Sequence, residues 1–351
     1  MKGKLRLVRA PAPAWFGALI PLLAILVTFL VTSVFILIAR ANPFEAFYYF
    51  LISPFSTRVS VLELFVKSTP LLLTGASVTL AFASGYWNIG AEGQFCAGAI
   101  AAAWLGIILG ELPAILAVPL MLIGGFIAGM LWALIPALLK VKLAVDEVVT
   151  TLLMNSVIVF IISALLNGPW RDPVSNWPQS PTIAAVTEMP KLIERSRLHL
   201  GFIIALLAVG VVWFILSRTG LGMRMRAVGM GQEAARFMGV NVNRTIFITA
   251  LISGGIAGLA GVSEVAGIHF HLIDSMSAGY GYSGIIAATL GNLNPLGSAL
   301  ASTFLGLIST GSQTVSRSLH VPSYLGDVVQ ATLLLVTLAM FLLRNYRIER
   351  A

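Results

Sequence analysis

The sequence has few charged residues and a single cysteine. Only 10% of its 351 residues are Asp, Glu, Lys or Arg, and 58% are hydrophobic, whereas a soluble domain carries about 25% charged residues. Such a chain cannot hide its apolar surface in one water-soluble core, which excludes a soluble globular protein. Cys96 stands alone, and this excludes an internal disulfide and a cysteine-based metal cluster.

Motifs for several kinds of chemistry are also absent. The chain has no GxxxxGK[ST] sequence, so it cannot cradle the phosphates of ATP itself. No Ser/His/Asp or Cys/His set stands out, and His269 and His271 lack a third metal ligand. We therefore expect no enzyme activity, no cofactor and no metal site in this chain.

Long apolar runs predict an all-α integral membrane protein with about ten transmembrane helices. The eighth run is short and is predicted to span or to be re-entrant. The predicted spans are residues 15–39, 69–84, 90–109, 113–139, 145–166, 199–216, 245–268, 282–293, 295–313 and 323–343.

Basic residues orient these spans. The net charge is +8, but the 22 Lys and Arg residues lie at the ends of apolar runs, which favours contact with membrane lipids over nucleic acid. The positive-inside rule places 14 of them in the cytoplasm, including Lys140 and Lys142 in a turn between two spans, and 8 outside. We predict a single membrane domain, residues 1–351, with an external loop at 167–198 and cytoplasmic segments at 1–14, 218–244 and 344–351.

A polar stretch interrupts the apolar chain at WNIGAEGQ, residues 87–94. Trp87, Asn88, Glu92 and Gln94 are candidates to line a substrate path, with Trp87 as a stacking surface for a ring. An ionisable group near hydrocarbon is costly unless it faces protein or water. The alternative is that these polar side chains cap and bridge neighbouring spans, or lie at the interface.

A second polar interruption is GNLNPLG, which contains Asn292 and Asn294. These residues are further candidates for the path. A turn between two half-spans is the alternative, because Asn, Pro and Gly are typical turn residues.

Two short segments repeat each other. Gly85 and a tyrosine, followed by Gly90, recur as Gly279 and a tyrosine, followed by Gly284. The predicted topology gives the two copies opposite orientations, which indicates an inverted internal repeat with the translocation path at its interface. The second copy also matches GxGxxG, but no strand precedes it, so a dinucleotide site is not expected.

Between two apolar blocks, residues 220–241 form a glycine-rich segment with charged side chains. A short helix outside the membrane is predicted here, because Glu233 near its start and Arg236 near its end both complement the helix dipole. Gly239 is expected to close it in the left-handed conformation. A helix of about two turns is not stable alone in water, so something must hold it or dock on it.

Two strings resemble a known family: NIGAEGQ at residues 88–94 and RAVGMGQEAARFMGVNV at residues 226–242. They are similar to permease subunits of ATP-binding-cassette (ABC) importers for simple sugars, nucleosides and branched-chain amino acids, with the EGQ form leaning toward nucleosides. The Leu-Pro pair of the general importer motif is missing. In this family the short helix is the coupling helix that fits the ATPase, which implies coupling roles for Arg226, Gln232, Glu233, Ala234, Ala235, Arg236 and Gly239.

The resemblance also implies partners and a location. They are a second permease subunit forming a heterodimer, a cytoplasmic ATPase that carries ATP and Mg²⁺, and an extracytoplasmic substrate-binding lipoprotein. The protein is expected in a prokaryotic inner or plasma membrane, with both termini cytoplasmic. An ion-coupled secondary transporter of a small polar solute, using Glu92, Glu264 or Asp327, is the alternative.

Overall fold

The computed structural model describes residues 5–9, 14–322 and 324–350. Ser323 and Ala351 lie outside the described residues, as do residues 1–4 and 10–13 of the predicted amino-terminal tail. Helices dominate the described chain, so the predicted all-α class is confirmed. They are α1 (Ala14–Ile38), α2 (Pro43–Leu51), α3 (Arg58–Ala83), α4 (Ala91–Ile108), α5 (Ala114–Leu143), α6 (Glu147–Asn167), α7 (Gly201–Arg218), α8 (Gly220–Met230), α9 (Gln232–Phe237), α10 (Val242–Glu264), α11 (Tyr280–Leu290), α12 (Pro295–Leu319) and α13 (Leu325–Asn345).

Each predicted span coincides with one of these helices. Among the described residues, six helices are long and apolar enough to cross a membrane, namely α3, α4, α5, α6, α7 and α10. Shorter apolar stretches lie in α1 and α13. At 11 residues, α11 is only about 16 Å long, roughly half of the hydrocarbon core. A multi-pass membrane protein is therefore supported, and the count of ten spans stays a prediction.

The chain divides into two compact units, residues 1–60 with 307–351, and residues 61–306. In the first unit, α1 packs on α13, and Asn42 caps α2 by accepting a hydrogen bond from the Phe44 amide. Strand β1 (Leu5–Arg9) pairs antiparallel with strand β2 (Tyr346–Arg350), a pairing that the sequence analysis did not predict. It places both ends of the chain on the same side of this unit.

The second unit is built around close contacts between small residues. Gly125 and Gly129 on α5 face α10, where Gly254 and Gly258 lie. A side chain at Gly129, Gly254 or Gly258 would overlap the opposing backbone, and one at Gly125 would overlap the Val262 side chain. Small residues four apart let helix backbones approach closely. The spacing of these glycines in the sequence predicts close helix packing, and α5 and α10 show it.

The predicted external loop, which leads into α7, is tied to the ends of α4 and α10. The Ile183 and Met189 amides donate to the carbonyls of Phe270 and Ala266, each at 2.8 Å. Near the end of α4, the Gly106 carbonyl accepts from a loop amide at 2.9 Å. These backbone bonds make the loop an ordered cap on the end of the second unit away from α9.

Candidate functional site

Residues 84–90, which we name the first break, separate α3 from α4 in the second unit. Gly85 adopts a left-handed backbone conformation, with φ of +70°, and Tyr86 is fully buried. Because α4 begins only at Ala91, Asn88 does not share a helix face with Glu92. Asn88 bonds instead to Gln94, with amide-to-amide distances of 2.9 and 3.0 Å.

This amide pair is joined to α3 and α10 by two serines. Asn88 Nδ2 donates to Ser253 Oγ at 2.9 Å, and the hydroxyls of Ser253 and Ser77 lie 2.9 Å apart. Ser253 is 11 residues into α10, about 16 Å along the helix, and thus near the middle of a 30 Å hydrocarbon core. A buried polar network therefore lies at membrane depth.

Residues 270–279, which we name the second break, lie between α10 and α11. A π-helical turn, Val265–His269, precedes the break, and Gly279 ends it in a left-handed conformation with φ of +80°. The buried Tyr280 follows. Both breaks thus place a left-handed glycine before a buried tyrosine, which gives the repeated sequence a structural counterpart.

Glu92, from the first turn of α4, reaches the start of α11. Its carboxylate accepts hydrogen bonds from the Ser277 hydroxyl and, at 2.7 Å, from the Gly281 amide. Only 8% of Glu92 is exposed. A negative charge is favourable at a helix N-terminus, so these contacts make Glu92 a cap for α11, as in the bridging alternative.

A residue that the sequence analysis missed connects the two breaks. Asn155 on α6 is buried, and its Nδ2 donates to the Ile89 carbonyl at 3.0 Å and to the Tyr282 hydroxyl at 3.2 Å. Its Oδ1 accepts from the Gly93 amide at 2.9 Å. The only signal in the sequence is an asparagine inside a long apolar run.

Two aromatic side chains at the breaks stay exposed. Trp87 in the first break is 49% exposed and makes an edge contact with Phe82, with ring centroids 4.6 Å apart. Tyr282 at the start of α11 is 41% exposed. Of the predicted path residues, the buried set Asn88, Glu92 and Gln94 therefore holds the breaks together, and Trp87 presents a free face.

Asn292 and Asn294 follow α11 in the chain. They lie in the exposed turn between α11 and α12, where Asn292 has a φ of +54°. Asn294 caps α12, since its Oδ1 accepts from the Leu296 amide at 2.9 Å. This geometry is that of a turn between a half-span and a span.

The predicted coupling helix is present as α9, between α8 and α10. Gly239 closes it with a φ of +81°, as expected. Among the predicted coupling residues, Arg226, Glu233, Ala234, Arg236 and Gly239 are exposed, Gln232 is partly buried and Ala235 is fully buried.

Large exposed apolar side chains lie at the end of this helix and on both sides of it. The sequence analysis did not name them as candidates for contact with a partner. Phe237 is 97% exposed, Met230 88% and Met238 69%. An apolar patch of this kind, rimmed by polar residues and outside the spans, is typical of a protein-binding surface. Apolar residues inside an otherwise polar loop were the available signal.

The segment formed by α8 and α9, for which the sequence analysis predicts a coupling role and which we name the coupling segment, contacts the first break. Ala235 belongs to one buried cluster with Tyr86 and Ala91 of the first break region and Ala288 of α11. In α8, Gly229 lies against the Ala83 carbonyl so closely that a side chain would overlap it. A displacement of α8 or α9 would therefore press directly on the backbone at the first break.

The acids considered for ion coupling have separate surroundings. Glu264 Oε2 lies 3.4 Å from His269 Nε2 at the end of α10, and Asp327 lies in the first turn of α13. Within the described ranges, no group of three or more His, Cys, Asp or Glu side chains is arranged to hold a metal ion.

The chain is similar in sequence to known transport proteins. The family model described as "Branched-chain amino acid transport system / permease component" matches residues 60–338. The chain is 30% identical to the glucose ABC transporter permease protein TsgB13 of Haloferax volcanii, covering 97% of this chain and 92% of the relative. Two guanosine ABC transporter permease proteins of Bacillus subtilis also match: NupP is 35% identical (79% of this chain, 80% of the relative) and NupQ is 29% identical (71% and 81%).

Proposed function

Because the chain belongs to the branched-chain amino acid transport system / permease component family, and is thus a permease subunit of an ABC importer and not itself an enzyme, we propose that it carries a nucleoside or simple sugar. The match to NupP and NupQ, together with the EGQ string at residues 92–94, favours a nucleoside. The match to TsgB13 keeps glucose as the second candidate.

We propose that α9 is the docking element for a separate cytoplasmic ATPase. The observation that supports this role is the division of α9 into two faces. Ala235 is buried against the bundle, while Glu233, Arg236 and Phe237 are exposed. A six-residue helix held at its inner face is positioned to receive a partner on its outer face, and the energy of ATP hydrolysis enters there.

We propose the remaining partners as follows. Bacillus subtilis has two different guanosine permease proteins, NupP and NupQ, that both resemble this chain, and this supports a heterodimer with a second permease. We further propose a substrate-binding lipoprotein outside and a location in the prokaryotic inner or plasma membrane. In this arrangement, the region 218–244 and both termini are cytoplasmic.

The docking role is tested by co-purification of the ATPase with the permease. Glu233→Ala and Phe237→Ala should each weaken the complex by about tenfold, since exposed charged and aromatic residues commonly dominate interfaces. Gly239→Pro should have a larger effect, because proline cannot adopt a φ of +81°. Asn243→Ala, an exposed change just beyond α9, is the matched control. Undiminished co-purification of all three variants would exclude this docking site.

Substrate and energy source are tested together by uptake. The permease, co-expressed with its partner subunits, should import labelled guanosine in proportion to ATP hydrolysis, and an uncoupler should not abolish uptake into vesicles supplied with ATP. Uptake of glucose with no guanosine would move the substrate to a simple sugar. Uptake that collapses with the uncoupler and persists without ATP hydrolysis would establish the ion-coupled alternative.

A further inference from the structure

Tyr282 differs from the residues beside it at the start of α11. Tyr280, Gly281 and Gly284 are buried, whereas Tyr282 leaves 41% of its surface exposed. This side chain lies where α4, α6 and the first break meet, because Asn155 of α6 bonds both to Tyr282 and to Ile89. An exposed aromatic ring therefore stands at the junction of the two breaks.

The hydroxyl group of Tyr282 accepts a hydrogen bond from Asn155 and can still donate one. Asn155 Nδ2 donates to the Tyr282 oxygen at 3.2 Å, so the oxygen acts as the acceptor in that bond. A phenol can accept and donate at the same time. The Tyr282 O–H proton is thus available for an acceptor atom on a ligand, and the ring is held in place by a buried partner.

The surroundings of Tyr282 indicate that its exposed face meets water and not lipid. The second break runs directly before α11, and Asp274, Ser275 and Ala278 in it are exposed. Irregular backbone at membrane depth is tolerated only against protein or beside a water-filled cavity. The exposed Trp87 lies two residues before Ile89, which Asn155 links to Tyr282.

From this geometry, and resting on the proposed permease function, we infer that Tyr282 is a substrate-contacting residue of the translocation path and that Asn155 positions it. The ligand class that fits is a planar heterocycle with an acceptor atom at its edge, such as the base of a nucleoside. The ring provides a stacking face and the hydroxyl donates to the acceptor. Trp87 offers a second stacking face from the other break.

The first experiment asks whether Tyr282 faces water. Cys96 is the only native cysteine, so a Cys96→Ser background permits clean labelling. In this background, Tyr282→Cys should react at least about tenfold faster with a charged, membrane-impermeant thiol reagent than Phe160→Cys. Phe160 is 74% exposed on α6 and is expected to face lipid. A thiol reacts slowly there, because the reactive form is the charged thiolate. Labelling should be measured in vesicles of both orientations. Equal rates for the two variants would overturn the inference.

The second experiment asks whether the ring recognises the base. Guanosine uptake should fall about tenfold in Tyr282→Leu, as expected for the loss of one base-aromatic stack, while Tyr282→Phe keeps the ring and should stay within about threefold of the native rate. Saturating guanosine should also slow labelling of Tyr282→Cys. Full uptake by Tyr282→Leu with no protection from labelling would contradict base recognition.

The two experiments separate this inference from the proposed function. If the native complex imports neither guanosine nor glucose, the proposed substrate fails, while the labelling rates still decide whether Tyr282 faces an aqueous path. If the native complex imports guanosine and Tyr282→Leu does so equally well, only the role of Tyr282 fails. If glucose uptake alone depends on Tyr282, the site binds a sugar ring and the assignment to a nucleobase is wrong.

Discussion

The first break and the second break share one backbone feature and are held differently. Each has a left-handed glycine followed by a buried tyrosine. The first break is held by neutral amides and serines, mainly Asn88 and Gln94, and touches the coupling segment through Gly229. The second break is capped by the carboxylate of Glu92 and fastened to the loop at the other end of the unit.

This difference gives the two breaks unequal roles. The second break depends on the first for its cap, since Glu92 follows the first break directly. The first break is in contact with α8, where force from an ATPase would arrive. We therefore interpret the first break as the element that responds to the coupling helix, and Glu92 as the link that passes the movement to α11.

The largest effect is expected from removing that link. Glu92→Ala leaves the Ser277 hydroxyl and the Gly281 amide without their buried acceptor, which costs about 1–3 kcal/mol for such groups. Uptake should be lost and the thermal unfolding temperature of the purified complex should fall. Glu111→Ala is the control, because Glu111 is an exposed acid that follows α4. Native uptake by Glu92→Ala would show that the two breaks are independent.

A side chain at the contact between α8 and the first break should uncouple transport. Gly229→Ala inserts a methyl group against the Ala83 carbonyl, and overpacking costs about 1–3 kcal/mol. ATP hydrolysis should continue, with the number of molecules imported per ATP reduced about fivefold or more. Gly220→Ala in the same helix, where a methyl group meets nothing within 4 Å, should behave as the native protein. Equal coupling in both variants would show that force bypasses Gly229.

Acid should loosen the second break before the first. His199 is buried beside Gly267, just before the second break, and burial lowers its pKa to about 4. Above pH 6.5 the residue is neutral in both states. As the pH falls from 6.5 to about 4, the unfolded state binds the proton first, so stability drops by at most about 1.4 kcal/mol per pH unit.

Hydrogen exchange measured at pH 7 and pH 5 checks this asymmetry. Residues 265–279 should lose protection at pH 5, relative to residues 84–90. His199→Gln should reduce the pH dependence, whereas His320→Asn, at an exposed histidine, should keep it. Equal loss of protection in both breaks would contradict a local effect of His199.

The smallest effect is expected from Ser253→Ala, which tests the hydrogen bonds that hold the first break. The change removes the hydroxyl that joins Asn88 to Ser77, and a single neutral hydrogen bond contributes about 1 kcal/mol. Thermal stability should decrease slightly, with the number of molecules imported per ATP unchanged. A loss of coupling as large as that of Gly229→Ala would make the serine pair part of the transmission.

Local patterns were sufficient for the elements of the fold. The apolar runs predicted the positions of ten helices because a helix in lipid must satisfy its own backbone. The glycine pairs of α5 and α10 predicted close packing, and Gly239 predicted the end of α9. The pairing of β1 with β2 was missed because its partners are separated by almost the whole chain.

The site was predicted less completely, for a physical reason that Asn88 and Asn155 illustrate. The polar string at residues 87–94 makes Asn88 a candidate, but the string does not indicate that its partners are Gln94 and Ser253. Asn155 was not selected, because a lone asparagine in an apolar run carries no information about what it faces. Its role depends on three segments that are far apart in sequence.

The sequence by itself determined that this protein is a helical membrane protein with a short charged helix outside the spans, because hydropathy, glycine spacing and charge act over a few turns. The tertiary structure alone decided that Glu92 caps α11, that Gly229 meets the first break, and that Tyr282 is held by Asn155 with its face exposed. These contacts join residues between 127 and 189 positions apart, and only packing of the folded chain brings such groups together.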